Sequence, residues 1–311
     1  MARQGHRIWA ARLIGCLLLI AAILGVSASF LWNRFANEPS VVAKTPQDRY
    51  SNLSALSAES GGALLSHPLD PLLNFAKTAL RNHVQHHRDY TAVLIKRERV
   101  GGKLLPETKM ALKLKYDAPM GSQTSERKVS VYLKTLEPKS QAGREVIWVQ
   151  GRNDNKLTAH EAGLLGMISV DLMPESRLAM LGNRYSITEI GIEKLLGKLI
   201  EKGERDRQLG PVTIRTSENV AIGDRTCRLM EVIHETPTAV VDGKTVEFEF
   251  YLAQIYIDDE RLIPLKYASF SWPKIPGGTP ELLEEYTYQD VSLNVGLSES
   301  DFDPKNPAYG F

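Results

Sequence analysis

Three histidines stand closest to chemistry in this chain: His83, His86 and His87. His83 and His87 are four apart, so on a helix they share a face and could hold one metal ion. The run His83-Val84-Gln85-His86-His87 lacks the glutamate that a zinc-protease helix carries after its first histidine, and no third ligand is identifiable. Both rings also fall on the apolar side of the helix, which fits structural histidines, and no metal or cofactor is assigned. Arg144-Glu145 and Arg152-Asn153-Asp154, with Arg184 further on, form the main polar signature. Arginine forks suit a phosphate or carboxylate headgroup, so Arg144, Glu145, Arg152 and Arg184 are a candidate polar rim; an ion-pair network fixing strand register is the plainer reading.

Searches for a nucleophile fail. There is no Gly-x-Ser-x-Gly elbow and no dinucleotide glycine fingerprint. Gly191 to Lys198 is one residue too long for a phosphate loop, with Leu199 where Ser or Thr is needed. The acid pairs Asp258-Asp259 and Glu284-Glu285 are expected in turns and on strand surfaces. The sequence therefore does not read as an enzyme.

The elements around these residues follow from periodicity. Asp70-Pro71 marks a helix start, and Leu72, Leu73, Ala76, Ala79, Leu80 and Val84 give it one apolar face to about Arg88. Tyr90–Val100 and Lys103–Tyr116 flank Gly101-Gly102, a hairpin signal. Met110, Leu112, Leu114 and Tyr116 alternate with polar residues, as do Val129, Val131 and Leu133, so each strand has one buried and one wet face. Gly143–Gln150 is a further strand. Ser186 and Glu189 form a capping box, with Tyr185 able to staple against Ile190; Ile192, Leu195, Leu196 and Leu199 follow as an apolar stripe, and Gly203 is the expected stop. Strands near 211–218, 224–235, 245–258, 262–272 and 281–293 complete the chain, with Asp242-Gly243 a tight turn. The expectation is an α+β fold, a curved antiparallel sheet wrapped around helices. Met110, Leu112, Leu114, Val131, Leu133, Phe248, Phe250 and Leu252 are its candidate apolar wall, lining a ligand cavity or forming a dry core.

Charge is unevenly placed. The net is +1, but Arg3, Arg7, Arg12 and Arg34 face no acid in residues 1–34, leaving 34 basic against 37 acidic residues, a net of −3. A body near neutrality has no footprint for nucleic acid. Residues 13–33 carry no charge between Arg12 and Arg34, long enough to span a bilayer core. Basic residues before them favour an N-inside orientation. The expectation is a transmembrane signal-anchor over 1–34, a flexible linker over 35–68 and a β-rich domain over 69–311, placed outside the cytoplasmic membrane (periplasmic). Val26 and Ala28 also fit a cleaved signal peptide, an alternative left open. Leu13-Ile14-Gly15-Cys16 precedes most of the apolar run, the wrong place for a lipoprotein box. Cys16 and Cys227 form no disulfide framework.

Three runs carry a resemblance to a known family: Gly143-Arg144-Glu145-Val146-Ile147-Trp148-Val149 with Gly151-Arg152-Asn153-Asp154, then Asn183-Arg184-Tyr185-Ser186-Ile187-Thr188-Glu189-Ile190-Gly191, and Tyr288-Gln289-Asp290-Val291 with Asp301-Phe302-Asp303 and Tyr309-Gly310-Phe311. Over roughly residues 70–311 the chain resembles the bacterial domain-of-unknown-function family 1571. That family is similar at fold level to the half-barrel lipoprotein carriers LolA and LolB, with Ile255-Tyr256-Ile257-Asp258 and Leu262-Ile263-Pro264-Leu265-Lys266 as the local cue. The resemblance implies an apolar cavity between sheet and helices, and leaves room for an insertion around 151–210. Function does not follow from fold; together with the anchor, the expectation is a membrane-anchored module for a lipid or other apolar ligand. A structural or interaction protein of the cell envelope, with a filled core and a protein partner, is the alternative.

Overall fold

The computed structural model describes residues 67–117, 127–162 and 168–311. The expected anchor and most of the linker lie outside the described residues. Among those described, no helix is long and apolar enough to cross a membrane.

Two helices and fourteen strands make up the described chain: α1 (Asp70–His86), β1 (Asp89–Val100), β2 (Lys103–Leu104), β3 (Thr108–Asp117), β4 (Lys128–Glu137), β5 (Glu145–Val149), β6 (Leu157–His160), β7 (Ser169–Leu172), α2 (Ile192–Leu209), β8 (Thr213–Ile222), β9 (Arg225–Ile233), β10 (Thr238–Val241), β11 (Lys244–Glu247), β12 (Leu252–Asp258), β13 (Ile263–Phe270) and β14 (Leu282–Leu293). Eleven strands run in the order β7-β6-β5-β4-β3-β1-β14-β13-β12-β9-β8, with β2 attached to β1 and β10–β11 a separate hairpin. Every pairing is antiparallel and the order does not close, so β7 and β8 are edges.

The helices pack on one face of the sheet, called the inner face below. Leu72, Leu73 and Ala76 of α1 and Ile192, Leu196 and Leu199 of α2 share one apolar cluster with the inward positions of the strands. Alternation places Tyr90, Ala92 and Leu94 of β1 and Leu112 and Leu114 of β3 on that face.

Several boundaries differ from expectation, each for a local reason. Leu69, not Asp70, occupies the cap of α1, and the Asp70 carboxylate accepts from the His67 amide instead. Ser186 caps only a 3-10 turn, Ile187–Glu189; Gly191 then takes φ +123° and α2 begins at Ile192. Gly203 does not stop α2. It lies inside the helix, where an added Cβ would come within 2.8 Å of Leu73 Cδ2, so its missing side chain is what lets α1 and α2 approach. The expected strand 245–258 is broken after Glu247, and Phe248 and Phe250 sit outside regular strand. The outer face of β4 is not wet: Tyr132 is buried with Ile147 and Phe302 under the C-terminal segment, stacked on Tyr309 at 4.2 Å.

Candidate functional site

Two polar islands interrupt the inner face. The first continues the alternation of β1 past Leu94 to Lys96 and Glu98, and that of β14 from Tyr288 back to Tyr286 and Glu284. Register sets Lys96 opposite Tyr286, and Glu98 opposite Glu284. On the other side of β14, Tyr267 and Ser269 stand opposite Tyr286 and Glu284. Glu98 and Glu284 are both buried. Like charges directly opposite repel, so the pair persists only with compensation. Glu98 Oε1 accepts from the Tyr286 hydroxyl (2.5 Å) and Oε2 from Lys96 Nζ (2.9 Å). Glu284 accepts from Ser269 Oγ (3.1 Å) and lies 2.9 Å from Arg184 Nε.

The second cation, Arg184, comes from residues 173–191, a stretch whose only helical turn is Ile187–Glu189 and which contains no strand. This segment is called the strap. Asn183 accepts from Lys96 Nζ (2.5 Å), and the Arg184 amide reaches Glu98 Oε2 (3.3 Å). Lys198 of α2 sits 4.0 Å from the Tyr185 ring centroid. Burial, then the neighbouring Glu98, pushes the Tyr286 phenol far above its ordinary range, so Tyr286 is a hydrogen-bond donor here and not a base. Two carboxylates matched by two cations are built to hold the strap, and no nucleophile is aimed among them.

The second island lies at the start of α2. The Tyr90 hydroxyl accepts from the Ile192 amide (3.1 Å), replacing the cap that Gly191 cannot supply. An added Cβ at Gly191 would meet Leu114 Cδ1 at 2.8 Å and the Tyr116 and Tyr90 hydroxyls at 3.2 and 3.3 Å. His83 is fully buried, its ring edge-on to Tyr90 and Tyr116. Its Nδ1 lies 3.0 Å from Nδ1 of His87. Arg127 stacks on Tyr116 at 4.3 Å, donates to the His87 carbonyl and pairs with Glu193. Burial, then the nearby His87 and Arg127, lowers the His83 pKa to about 3. A guanidinium beside two hydrogen-bonded imidazoles is a poor setting for a cation, and among the described residues no group of three or more His, Cys, Asp or Glu could hold a metal.

Met110, Leu112, Leu114, Val131 and Leu133 come together on adjacent β3 and β4, all buried in the main apolar cluster. Ile187 of the strap is buried in that cluster, and Ala179 and Ile190 pack against it half-buried. Phe250 belongs to that cluster too, and both Phe248 and Phe250 flank the buried His234, at 4.0 and 4.7 Å between ring centroids. His234 Nδ1 is 3.0 Å from the Phe250 carbonyl, and Nε2 lies 3.3 Å from Asp206 of α2. Leu252 is half-buried, out of step with Ala253, Ile255 and Ile257, which enter the core.

Of the polar rim, Arg184 borders the inner face, and Arg144 keeps the parity of the inward Val146 and Trp148. Glu145 points outward, bonded to Lys134 and to the Gly310 amide; Arg152 binds Glu299 and the Phe302 carbonyl; Arg144 pairs with Glu161. Glu145 and Arg152 thus pin the C-terminal segment. Glu284 was expected on a strand surface, and Glu98 and Lys96 were not singled out. The signal was present: both strands keep the parity of their buried residues into these charged positions. A recess of about 220 Å³ beside the β8–β9 turn is bordered by Arg225, Arg261, Leu265 and Tyr288. Arg225 is bound to Asp258 and Glu260, and Arg261 to the Val291 carbonyl.

Several solved structures align at low scores. A DUF1329 family protein from Desulfovibrio piger ATCC 29098 is 12% identical, with a TM-score of 0.36 over 76% of this chain and 98% of that one. A LolA superfamily protein from Nitrosomonas europaea is 12% identical, with a TM-score of 0.26 over 73% and 97%. The lipoprotein LppX from Mycobacterium tuberculosis is 10% identical, with a TM-score of 0.37 over 75% and 100%. At such scores nothing about function passes from them to this chain. No curated protein matches it. Residues 87–311 match the model of one family, and the chain belongs to it: the proteins of unknown function grouped as DUF1571.

Proposed function

We propose that this is a non-enzymatic binding module of the cell envelope, tethered to the outer side of the cytoplasmic membrane by residues 13–33. It takes a lipid or other apolar ligand against Met110, Leu112, Leu114, Val131 and Leu133, with Arg184 at the rim. The observation that carries this is the make-up of the cover over that wall. Parting both helices from the sheet would expose Leu72, Leu73, Ile192, Leu196, Leu199 and Ile200, at about 1.5–3 kcal/mol each. That sum is as large as the roughly 5–15 kcal/mol that holds a domain together. Lifting the strap takes only Ile187 out of the buried members of that cluster, with Ala179 and Ile190 packed against it; the buried Pro174 and Ser186 and the half-buried Leu178, Met180, Leu181 and Tyr185 go with it. An apolar chain entering under the strap would recover that burial.

A second reading is an interaction protein with a permanently filled core. It is favoured by the near-zero exposure of Leu112, Leu114 and Val131. Titration of the full chain with a fluorescent C18 polyene fatty acid, and mass spectrometry of lipid extracted from the purified protein, separate the two. Saturable binding near one per chain, faster in Arg184→Ala, is expected. Absence of binding by both proteins, with no co-purified lipid, would leave the filled-core reading.

A further inference from the structure

The two edges of the sheet are finished differently. β8 carries exposed Arg215, Thr216, Ser217 and Glu218, and a register shift between Ser217 and Val220 with Asn219 at φ +60°. Charge and a bulge are the usual guards of an edge. β7 has neither a bulge nor a basic residue. Among the described residues it pairs only with β6, and none of them adds a strand to its other side. Its one charge, Asp171, is turned onto Thr158 of β6 (2.7 Å).

The inner face of β7 is also left unsealed. Leu172 lies opposite Leu157 and Val170 opposite Ala159, continuing the core outward, and Ile168 follows at the same parity. Val170 and Leu172 are half-buried, and Ile168 is 53% exposed. The apolar layer therefore runs to the rim of the sheet and stops in solvent.

We propose that β7 is a self-association edge: a second copy of this chain adds its own β7 antiparallel to it about a two-fold axis, joining two sheets into one. The sequence selects both occupant and register. With the axis at Val170, Val170 meets Val170 and Ile168 meets Leu172 on the inner face, while Ser169 meets Asp171 on the outer. With the axis at Asp171, two carboxylates would stand opposite each other, which repels. A shift of one residue would put one copy's inner face against the other's outer face. The Val170-centred pairing is the one in which every inward residue finds an apolar partner and no like charges meet. Such an interface is isologous, the same patch on both copies.

Cysteine crosslinking of the full chain in its membrane tests this, in a background with Cys16→Ser; Cys227 is buried. Residues directly opposite in an antiparallel pair lie within disulfide reach. Under mild oxidation, Val170→Cys is expected to give a species of twice the chain mass, at least fivefold above an exposed control, Val240→Cys, whose parent residue is 72% exposed. Asp171→Cys should stay at the control level. Differently tagged Val170→Lys and Val170→Glu chains, produced together, should co-purify, while each alone should not self-associate. Control-level crosslinking at Val170, equal crosslinking at Asp171, capture of a different protein at Val170, or failure of the mixed pair to co-purify would each overturn the proposal.

Discussion

The two polar islands of the inner face are both buried, yet they hold their elements by different means. At the start of α2, hydroxyls and a glycine set the fit, with the Arg127–Glu193 pair beside them: Tyr90 caps Ile192, and Gly191 leaves just enough room for Leu114 and Tyr116. At the strap, charge does it, with Glu98 and Glu284 set against Lys96 and Arg184. The first island is a steric fit with no exposed member among Tyr90, Tyr116 and His83. The second is anchored by an arginine whose side chain is one-third exposed. Fit fails all at once when a group is added, whereas an ion pair open to water can part and re-form at small cost. The contrast makes α2 a fixed part of the core and the strap the part free to move.

The most severe way to break this contrast is Gly191→Ala. A φ of +123° is closed to alanine, and its Cβ would overlap Leu114. Backbone strain and overpacking together should cost about 3–5 kcal/mol, read as a collapse of the urea midpoint. Glu98→Ala comes next. It leaves Lys96 with only the Asn183 side-chain oxygen and strips the Tyr286 hydroxyl of its acceptor. Breaking a buried pair from one side should cost about 3 kcal/mol, and Glu98→Gln, which keeps an acceptor, should recover part of it. Equal losses in the two variants would mean that shape, not charge, holds the strap as well.

Much of the fold was legible in the sequence because period-two alternation is strict in β3 and the helix faces are strongly apolar. What was missed lay where a local signal was outvoted by distant chain. Ser186 and Glu189 have the spacing of a helix start, but Gly191 is forced into an extended turn by Leu114 and two tyrosine hydroxyls some eighty to a hundred residues earlier. Gly203 has the look of a stop, but its role is set by Leu73 on the other helix. Tyr132 alternates onto a face that only the chain's last residues make dry. For the candidate site, the burial of Met110, Leu112, Leu114, Val131 and Leu133 on one face of β3 and β4 could be read in advance. The contact of Phe248 and Phe250 with His234 could not be read, because His234 is held by Asp206 from α2, which no local pattern reveals. Glu98 and Glu284 were readable in principle from parity, but charged residues are so often exposed that composition argued the other way.

Acid sharpens the comparison from the neutral side. His83 is kept uncharged by burial, its pKa lowered to about 3 from the ordinary imidazole value of 6.5. Below pH 6.5 the unfolded chain therefore binds a proton that the folded one refuses, so stability falls as pH falls, until the folded value is reached. The slope from this one group approaches about 1.4 kcal/mol per pH unit in that window. His83→Gln should remove that part of the slope while leaving the carboxylate contributions, so the difference in urea midpoint between the two proteins should narrow from pH 7 to pH 5. A constant gap across that range would mean that His83 is charged in the folded protein.

The smallest global effect is expected at the strap itself. Arg184→Ala removes a cation with 33% of its side chain exposed but leaves the buried Glu284 to Ser269 alone, so the loss should be smaller than at Glu98, about 1–2 kcal/mol. The local effect should be much larger. Amides bonded only within the strap, such as those of Asn183, Glu189 and Ile190, exchange with solvent through opening of the strap rather than of the domain. In Arg184→Ala their hydrogen exchange should quicken at least tenfold, while amides of β1 and β14 keep wild-type protection. If protection over 176–190 is unchanged, Ile187 and its apolar neighbours are the true latch and the charges are only trim. If β1 and β14 lose protection equally, strap and sheet open as one unit, and the distinction between a fixed helix layer and a movable strap fails.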